Sequence, residues 1–376
     1  MSWIERRAFA YSLHHPWFFR YVVRPQAYRK ANGDQERVHD LALEALVEYE
    51  DALRAAAEKF DFPDLHVPFC GKKVSPFGTA AGLDKNGEAL LPLSHIFGFI
   101  EWGTVVLHER KGNNRPRVAV DNKKEEIYNA QGFPHKGLAY ALAKAQAYAA
   151  ANGKADLITS VCGIPPSPDK IDVAYEELET LVRALEPYSS GFVWNPYSPN
   201  TDALKALRTP EHFHTSAELI RKIIGQKLLL VKMGPYETEM RETWLQQIAA
   251  WLEGRGDGIV AVNTYIVSRD HIPCRQWGYP SAGRSGTNLQ AYRQRAICDA
   301  RSIFPKIFIA AAGGINSGNE AWRAIEAGAN VLEAYTPFTF HGFGILLDWA
   351  RTIQKNLHKK GYRTLKEYQL SNFYIH

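Results

Sequence analysis

The sequence lacks any run of about eighteen apolar residues, so no segment is expected to span a bilayer as a helix. It also lacks an N-terminal apolar core followed by a small-residue cleavage site, so a secretory signal is not expected. Its four cysteines, Cys70, Cys162, Cys274 and Cys298, lie far apart with no Cys-x-x-Cys pair. That argues against a zinc site or a disulfide framework and for a reducing compartment. No block of like charge occurs: 45 basic and 40 acidic residues are spread along the chain, and a formal charge of +5 gives no reason to expect a nucleic-acid partner. Neither His, Asp nor Glu clusters at metal-ligand spacing, so no metal is expected. What is present is a 376-residue chain with 45% hydrophobic content, ample for a substantial core.

From Pro76 onward, short apolar runs alternate with longer amphipathic stretches. The runs are Phe77 to Ala81, Phe99 to Thr104, Leu157 to Val161, Gly191 to Asn195, Leu228 to Lys232, Gly258 to Asn263, Ile307 to Ala312 and Val331 to Thr336. Helical patterns lie between most of them: Asp172 to Leu185, Ser216 to Ile224, Glu242 to Glu253, Leu289 to Ser302 and Asn319 to Ala327. Eight such βα units over about 270 residues predict an α/β fold, a closed (β/α)8 TIM barrel. An open doubly wound sheet is the alternative, but it normally uses fewer strands.

In a barrel of this kind the loops after the strands carry the chemistry. The fourth run stops in Asn195-Pro196-Tyr197-Ser198-Pro199-Asn200-Thr201, where two prolines stiffen a cluster of amides and hydroxyls. A plain turn has the same composition. Other strands end alike, in Gly82 to Gly87, Thr104, Asn263-Thr264, Gly313-Gly314 and Tyr335-Thr336. Glycines 313, 314 and 318, with Thr336 after the next strand and Ser285-Gly286 able to close over them, suit a phosphate. Lys85 and Lys232 at strand ends are costly unless paired, so each is expected to meet an anion or a ring that carries charge during turnover. Lys232 is open to two readings, a Schiff base or a cation beside a flavin. The amides Asn129, Asn195, Asn200 and Asn263 favour the second, because together they can read a planar polar ring. Asp84 and Glu101, as lone acids, are expected to pair locally.

The first 60 residues read as helices. Between Trp3 and Arg24, aromatic and apolar residues alternate with Arg6, Arg7, Arg20 and Arg24, a composition suited to a membrane interface and equally to packing on the protein body. Gln35 to Phe60 reads as one further helical stretch, broken by Phe62-Pro63.

Ala80-Ala81-Gly82-Leu83-Asp84-Lys85-Asn86-Gly87, Asn129 with Gly132-Phe133, Ser198-Pro199-Asn200-Thr201, Asn263-Thr264, Ser285-Gly286, Gly313-Gly314-Ile315 and Tyr335-Thr336 resemble the dihydroorotate dehydrogenases across roughly residues 35 to 350. Ser198 and the helical extension resemble the membrane-associated, quinone-dependent class 2. The resemblance implies oxidation of dihydroorotate to orotate in pyrimidine biosynthesis on a bound FMN. It divides the chain into a membrane-associating segment, 1–60, and an FMN-binding barrel, 61–376. FMN would contact Ala81, Gly82, Leu83, Asp84, Lys85, Thr104, Asn195, Lys232, Gly286, Gly314, Tyr335 and Thr336. Orotate would contact Lys85, Asn129, Gly132, Phe133, Asn195, Asn200, Asn263 and Thr264. Ser198 would remove the C5 proton, with Thr201 the nearest candidate for relaying it. The implied partners are the substrate, a membrane quinone and the membrane surface, at the cytoplasmic face of a bacterial inner membrane, with the mitochondrial inner membrane as the alternative.

Several positions depart from the family pattern. Ser160 stands near the place of a third-strand FMN-binding asparagine, and Ala130-Gln131 replace a bulky basic and apolar pair. Pro196 and Tyr197 replace smaller residues, and Val120 stands where the quinone tunnel often presents an arginine. Two other functions compete: a flavin-free, phosphate-binding lyase using Lys232, and a catalytically silent membrane-attached homologue.

Overall fold

The computed structural model of the chain describes residues 3–198 and 201–373. The expectation for Asn200, next to Pro199, lies outside the described residues. Eight parallel strands close into a barrel: β1 (Phe77–Thr79), β2 (Phe99–Val105), β3 (Asp156–Val161), β4 (Gly191–Trp194), β5 (Leu228–Met233), β6 (Gly258–Ala261), β7 (Phe308–Ala312) and β8 (Val331–Ala334). Each pairs with its neighbours in chain order, and β8 returns to β1 through Ala334 opposite Thr79. These are the eight apolar runs of the sequence. They read as runs rather than alternations because helices cover one face and the barrel interior the other; every residue of β2 and β3 is buried.

The helices fall where the periodicity requires them. In Ile171–Leu185 the buried Ala174, Leu178, Leu181, Val182 and Leu185 recur at three- and four-residue spacings and form one apolar stripe. Pro210–Ile224 has Pro210 in its first turn, Thr209 accepting the His212 N–H at 3.3 Å, and Gly225 at its end with φ +63°. The remaining expected stretches form Arg241–Glu253, Gln290–Ile303 and Gly318–Glu326.

A second sheet, which the periodicity does not announce, covers the barrel mouth. Its four antiparallel strands run in the order Tyr265–Ser268, Ser281–Gly286, Glu126–Asn129, Val118–Asp121. They come from excursions after β2 and β6 and have a small core of their own around Tyr128, Val267 and Trp277. Asp121 makes the turn between two of them by accepting the N–H groups of Lys123 and Lys124.

The N-terminal residues are helical through Phe60 but more divided than the sequence suggests. Trp3–Ser12 ends before His15, and Pro16 opens a new short helix that passes through a π-helical turn, Phe19–Val23, into Arg24–Lys30. The stretch after Asp34 divides at Tyr49 into Gln35–Glu48 and Glu50–Ala56; Asp34 caps the first by accepting the Glu36 and Arg37 N–H groups. Glu36 pairs with Arg117 and Arg20 with Glu125, which fastens these helices to the sheet over the mouth. Among the described residues no helix is long and apolar enough to cross a membrane.

Candidate active site

Three ionisable side chains from non-adjacent strands meet on the barrel axis. Lys232 Nζ of β5 lies 2.8 and 3.1 Å from the Glu101 carboxylate of β2 and 3.2 Å from Glu333 of β8. Side-chain exposure is 8% for Lys232, 0% for Glu101 and 2% for Glu333, so water screens none of these contacts. Burial alone would lower the Lys232 pKa, but the two carboxylates outweigh it and hold it above its ordinary value. Burial, and then the adjacent Glu101, push Glu333 well above the carboxyl range against the pull of Lys232. An ammonium between two ionised carboxylates would leave a buried, uncompensated negative charge; a proton on Glu333 removes it.

This corrects the sequence reading of Glu101, whose partner is not local but 131 residues away. Lys232 does meet an anion, and that anion is protein. An ammonium with a raised pKa is a poor Schiff-base nucleophile, which removes the attraction of the lyase reading.

Lys232 also lines a cavity of about 210 Å³ at the C-terminal ends of the strands. The same cavity brings together Ala81, Gly82, Lys85, Thr104, Asn129, Gly132, Phe133, Asn195, Ser198, Asn263, Thr264, Gly314, Tyr335 and Thr336. Three other candidates sit elsewhere. Leu83 faces a second cavity. The Asp84 carboxylate turns inward and accepts the Glu88 and Ala89 N–H groups at 2.8 and 2.7 Å, the local pairing expected of it. Gly286 ends a strand beside Ser285, and it is Ser285 that reaches the cavity. Val118, Ile127, Val262, Leu289 and Pro337 line it as well, unforeseen because apolar walls carry no motif, and so does the amide of Gln131.

The polar groups hold one another in place. Asn195 donates through Nδ2 to Thr104 Oγ1 at 2.8 Å, and Thr104 Oγ1 lies 3.0 Å from Ser160 Oγ. Ser160 is thus a fully buried support behind Thr104 rather than a wall of the cavity. Asn263 donates to Tyr197 O at 2.9 Å and to Asn195 Oδ1 at 3.3 Å, while its own Oδ1 accepts the Thr264 N–H. Asn129, on the covering sheet, donates to Gly283 O at 3.1 Å. The hydroxyls of Thr201 and Thr264 are buried with no hydrogen-bond partner among the described residues.

Arg208 pins the loop carrying Ser198. Its Nε donates to Pro196 O and its Nη2 to Ser198 O, both at 3.0 Å, and the guanidinium lies 4.7 Å from the centre of the Tyr197 ring. Tyr197 donates to Gln247, which returns a bond to Arg208 O. Gly234 makes room, since a Cβ there would come within 2.5 Å of the Tyr197 ring. The bulky Pro196-Tyr197 pair is therefore built into the loop.

Lys85 is half-buried, and its pKa is lowered to about 8, chiefly by desolvation. At the opposite rim Gly313 and Gly314 adopt φ of +88° and +70°, and a Cβ on Gly314 would lie 2.7 Å from Gln290 N. Thr336 Oγ1 donates to Ser285 Oγ at 3.0 Å across this rim. Backbone without side chains beside two hydroxyls fits a phosphate group, and the amides and Lys232 fit a polar ring.

The second cavity, of about 180 Å³, lies between the N-terminal helices and the barrel. Val118, Ile127 and Tyr335 are walls of both cavities. Its lining is mostly apolar and includes Phe9, Leu13, Phe19, Val120 and Phe338. Arg24 is its guanidinium: Nη2 donates to Asn122 at 2.7 Å and to Tyr28 OH at 3.1 Å, while the buried Nε has no partner among the described residues. His39 Nδ1 lies 3.3 Å from Tyr335 OH. Burial, with Lys85 nearby, lowers the His39 pKa to about 3, which keeps the ring neutral.

The sequence profile of the dihydroorotate dehydrogenase family matches residues 64–360. A dihydroorotate dehydrogenase (quinone) of Salinispora arenicola is 30% identical, the match covering 86% of this chain and 95% of the relative. That of a Sulfurovum species is 29% identical over 89% and 94%. A crystal structure of Eimeria tenella DHODH in complex with ferulenol superposes with a TM-score of 0.76 at 23% identity, covering 89% of this chain and 94% of that one, a likeness of fold.

Proposed function

The chain belongs to the dihydroorotate dehydrogenase family, and from that premise we propose that it oxidises dihydroorotate to orotate on a bound FMN and passes the electrons to a membrane quinone. The observation that carries this reading is the single cavity in which Lys85, Asn129, Asn195, Asn263 and Ser198 converge opposite the Gly313-Gly314 rim. FMN would be held by that rim with Thr336 at its phosphate and by Ala81, Gly82, Thr104, Asn195 and Lys232 at its ring; Leu83, Asp84 and Gly286 would contribute through their backbone. When bound it supplies a two-electron acceptor.

The residues of this chain do the rest. Lys85 offers its ammonium to the substrate carboxylate in a half-buried, partly desolvated setting, where the pairing is less screened than at an open surface. Asn129, Asn195 and Asn263 orient the pyrimidine through amide bonds, with Gly132, Phe133 and Thr264 completing the wall. Ser198 takes the C5 proton. A serine hydroxyl is a weak base and needs an onward route, and Thr201, three residues on with a buried hydroxyl, is the candidate we assign to it. The four-stranded sheet covers the mouth and keeps water from the reacting atoms.

The second cavity supports quinone as the acceptor, since it is apolar, shares walls with the first and carries Arg24 for a carbonyl. Both readings of the N-terminal segment find support at once. Phe9, Leu13 and Phe19 turn into the cavity, whereas Trp3, Ile4, Tyr11, Trp17 and Tyr21 are exposed. We assign that outer face to the surface of a bacterial inner membrane on its cytoplasmic side. The test is turnover of dihydroorotate by purified protein with a dye or quinone acceptor, together with release of FMN on denaturation. Orotate formed in step with the acceptor supports the reading; a colourless protein without turnover rejects it.

A further inference from the structure

The Glu101–Lys232–Glu333 cluster has one acid more than its cation needs, and the proposed chemistry uses neither carboxylate. Both acids are fully buried behind Lys232, the only member that lines the cavity. Strands β3, β4, β6 and β7 add no ionisable side chain except Asp156 at the far entry of β3, where it binds Lys72 and Ser190. From β1, Thr79 donates to the backbone oxygen of Glu101 and not to its carboxylate. The strongest charged influences on Glu333 are Glu101 and Lys232, and those on Lys232 are the two acids. Lys85 is influenced instead by Glu36, Arg117, Asp84 and Asp40. The cluster is thus an electrostatic unit of its own, open to the cavity only through one ammonium.

We infer that the Glu101–Glu333 pair is a proton store coupled through Lys232 to the charge of the flavin site, holding one proton while the flavin is oxidised and two while it is reduced. This rests on the proposed binding of FMN against Lys232. Dihydroorotate gives up two electrons and one proton to the flavin and a second proton through Ser198, so the flavin site gains one negative charge. A negative charge in this low-dielectric interior favours protonation of the remaining carboxylate. Lys232 passes one N–H proton to Glu101 and is reprotonated from the cavity side, the proton coming from solvent. When quinone withdraws two electrons and two protons are consumed in forming the quinol, the pair gives its proton back. Glu101 and Glu333 are positioning residues in this scheme, acting on the flavin site only through Lys232.

The test is a redox titration of the flavin bound to the full-length holoenzyme at several pH values above neutrality, for wild type and the double variant Glu101→Gln/Glu333→Gln, which removes both carboxyl groups of the store. For a two-electron couple each proton taken up adds about 30 mV per pH unit. Wild type should therefore fall by about 60 mV per pH unit, and the variant by about half of that. Equal slopes overturn the inference. Should the variant not retain flavin, the reduced-minus-oxidised infrared spectrum of wild-type protein labelled with 13C-glutamate decides instead. A carboxyl band gained on reduction and shifted by the label is expected, and its absence overturns the store. A protein that binds no flavin, or whose flavin dihydroorotate does not reduce, defeats the proposed function and this inference together. Flavin that is reduced normally with equal slopes in both proteins defeats the inference alone.

Discussion

Lys85 and Arg24 are cations held in desolvated surroundings on either side of Tyr335, and each should respond in its own assay. With its pKa near 8, Lys85 is protonated below that pH and neutral above it. If the orotate carboxylate binds the ammonium as proposed, orotate affinity should be flat below about pH 8 and weaken up to about tenfold per unit above it. Calorimetric titration across that range checks this, and a dissociation constant unchanged by alkali would remove Lys85 from the carboxylate site. For Arg24, whose buried Nε has no partner among the described residues, Arg24→Leu should raise KM for quinone roughly tenfold, the scale of one charged hydrogen bond. Turnover with a soluble dye should stay as it is. Equal losses with both acceptors would mean that Arg24 only supports the fold. Neither Arg24 nor His39 was legible as a wall of the cavity next to Tyr335, because their place depends on how the broken N-terminal helices fold back over residues 118–127. Lys232 was legible as a costly buried cation. Its partner Glu333 was not, because one acid inside Val331–Ala334 looks like an interruption of an apolar run.

At the scale of elements, what the sequence displays is what depends on local spacing. All eight barrel strands were visible because each is a short apolar run with a helical pattern nearby. The covering sheet was not, since its strands are four to six residues long, partly exposed, and paired across the chain, as with Asn129 opposite Gly283. It nevertheless supplies Asn129 and Ser285 to the cavity, so the site could be recognised by family motif before its architecture could be derived. The loop after β7 makes a direct prediction. Ala at position 314 would have to hold φ +70° with its Cβ 2.7 Å from Gln290 N, a conformation costing roughly 1–2 kcal/mol before the clash is counted. Gly314→Ala should fold yet lose FMN on dialysis, read as the ratio of flavin to protein absorbance. Full retention of flavin would show that this rim does not hold the phosphate.

For the whole molecule, the second cavity is lined jointly by the N-terminal helices and the barrel, and the proposed function makes those helices part of the electron path rather than an appendage. A chain beginning near Gly33 would lack Phe9, Leu13, Phe19, Arg24 and Tyr28 from the cavity wall and the exposed aromatics outside it. It should lose liposome binding and most activity with long-chain quinones while a soluble dye still reoxidises the flavin. Unchanged quinone activity with liposomes would remove the membrane role.

All of this presupposes that the barrel mouth removes hydrogen from dihydroorotate with Ser198 as the base. The most direct measurement is anaerobic stopped-flow reduction of the bound flavin by dihydroorotate with no added acceptor, in wild type and in Ser198→Ala. Rapid bleaching of the wild-type flavin is expected, slowed by about a hundredfold or more in the variant with FMN still bound, the usual range for a lost general base. Wild-type flavin that stays oxidised, or a variant that bleaches as fast as wild type, would contradict it.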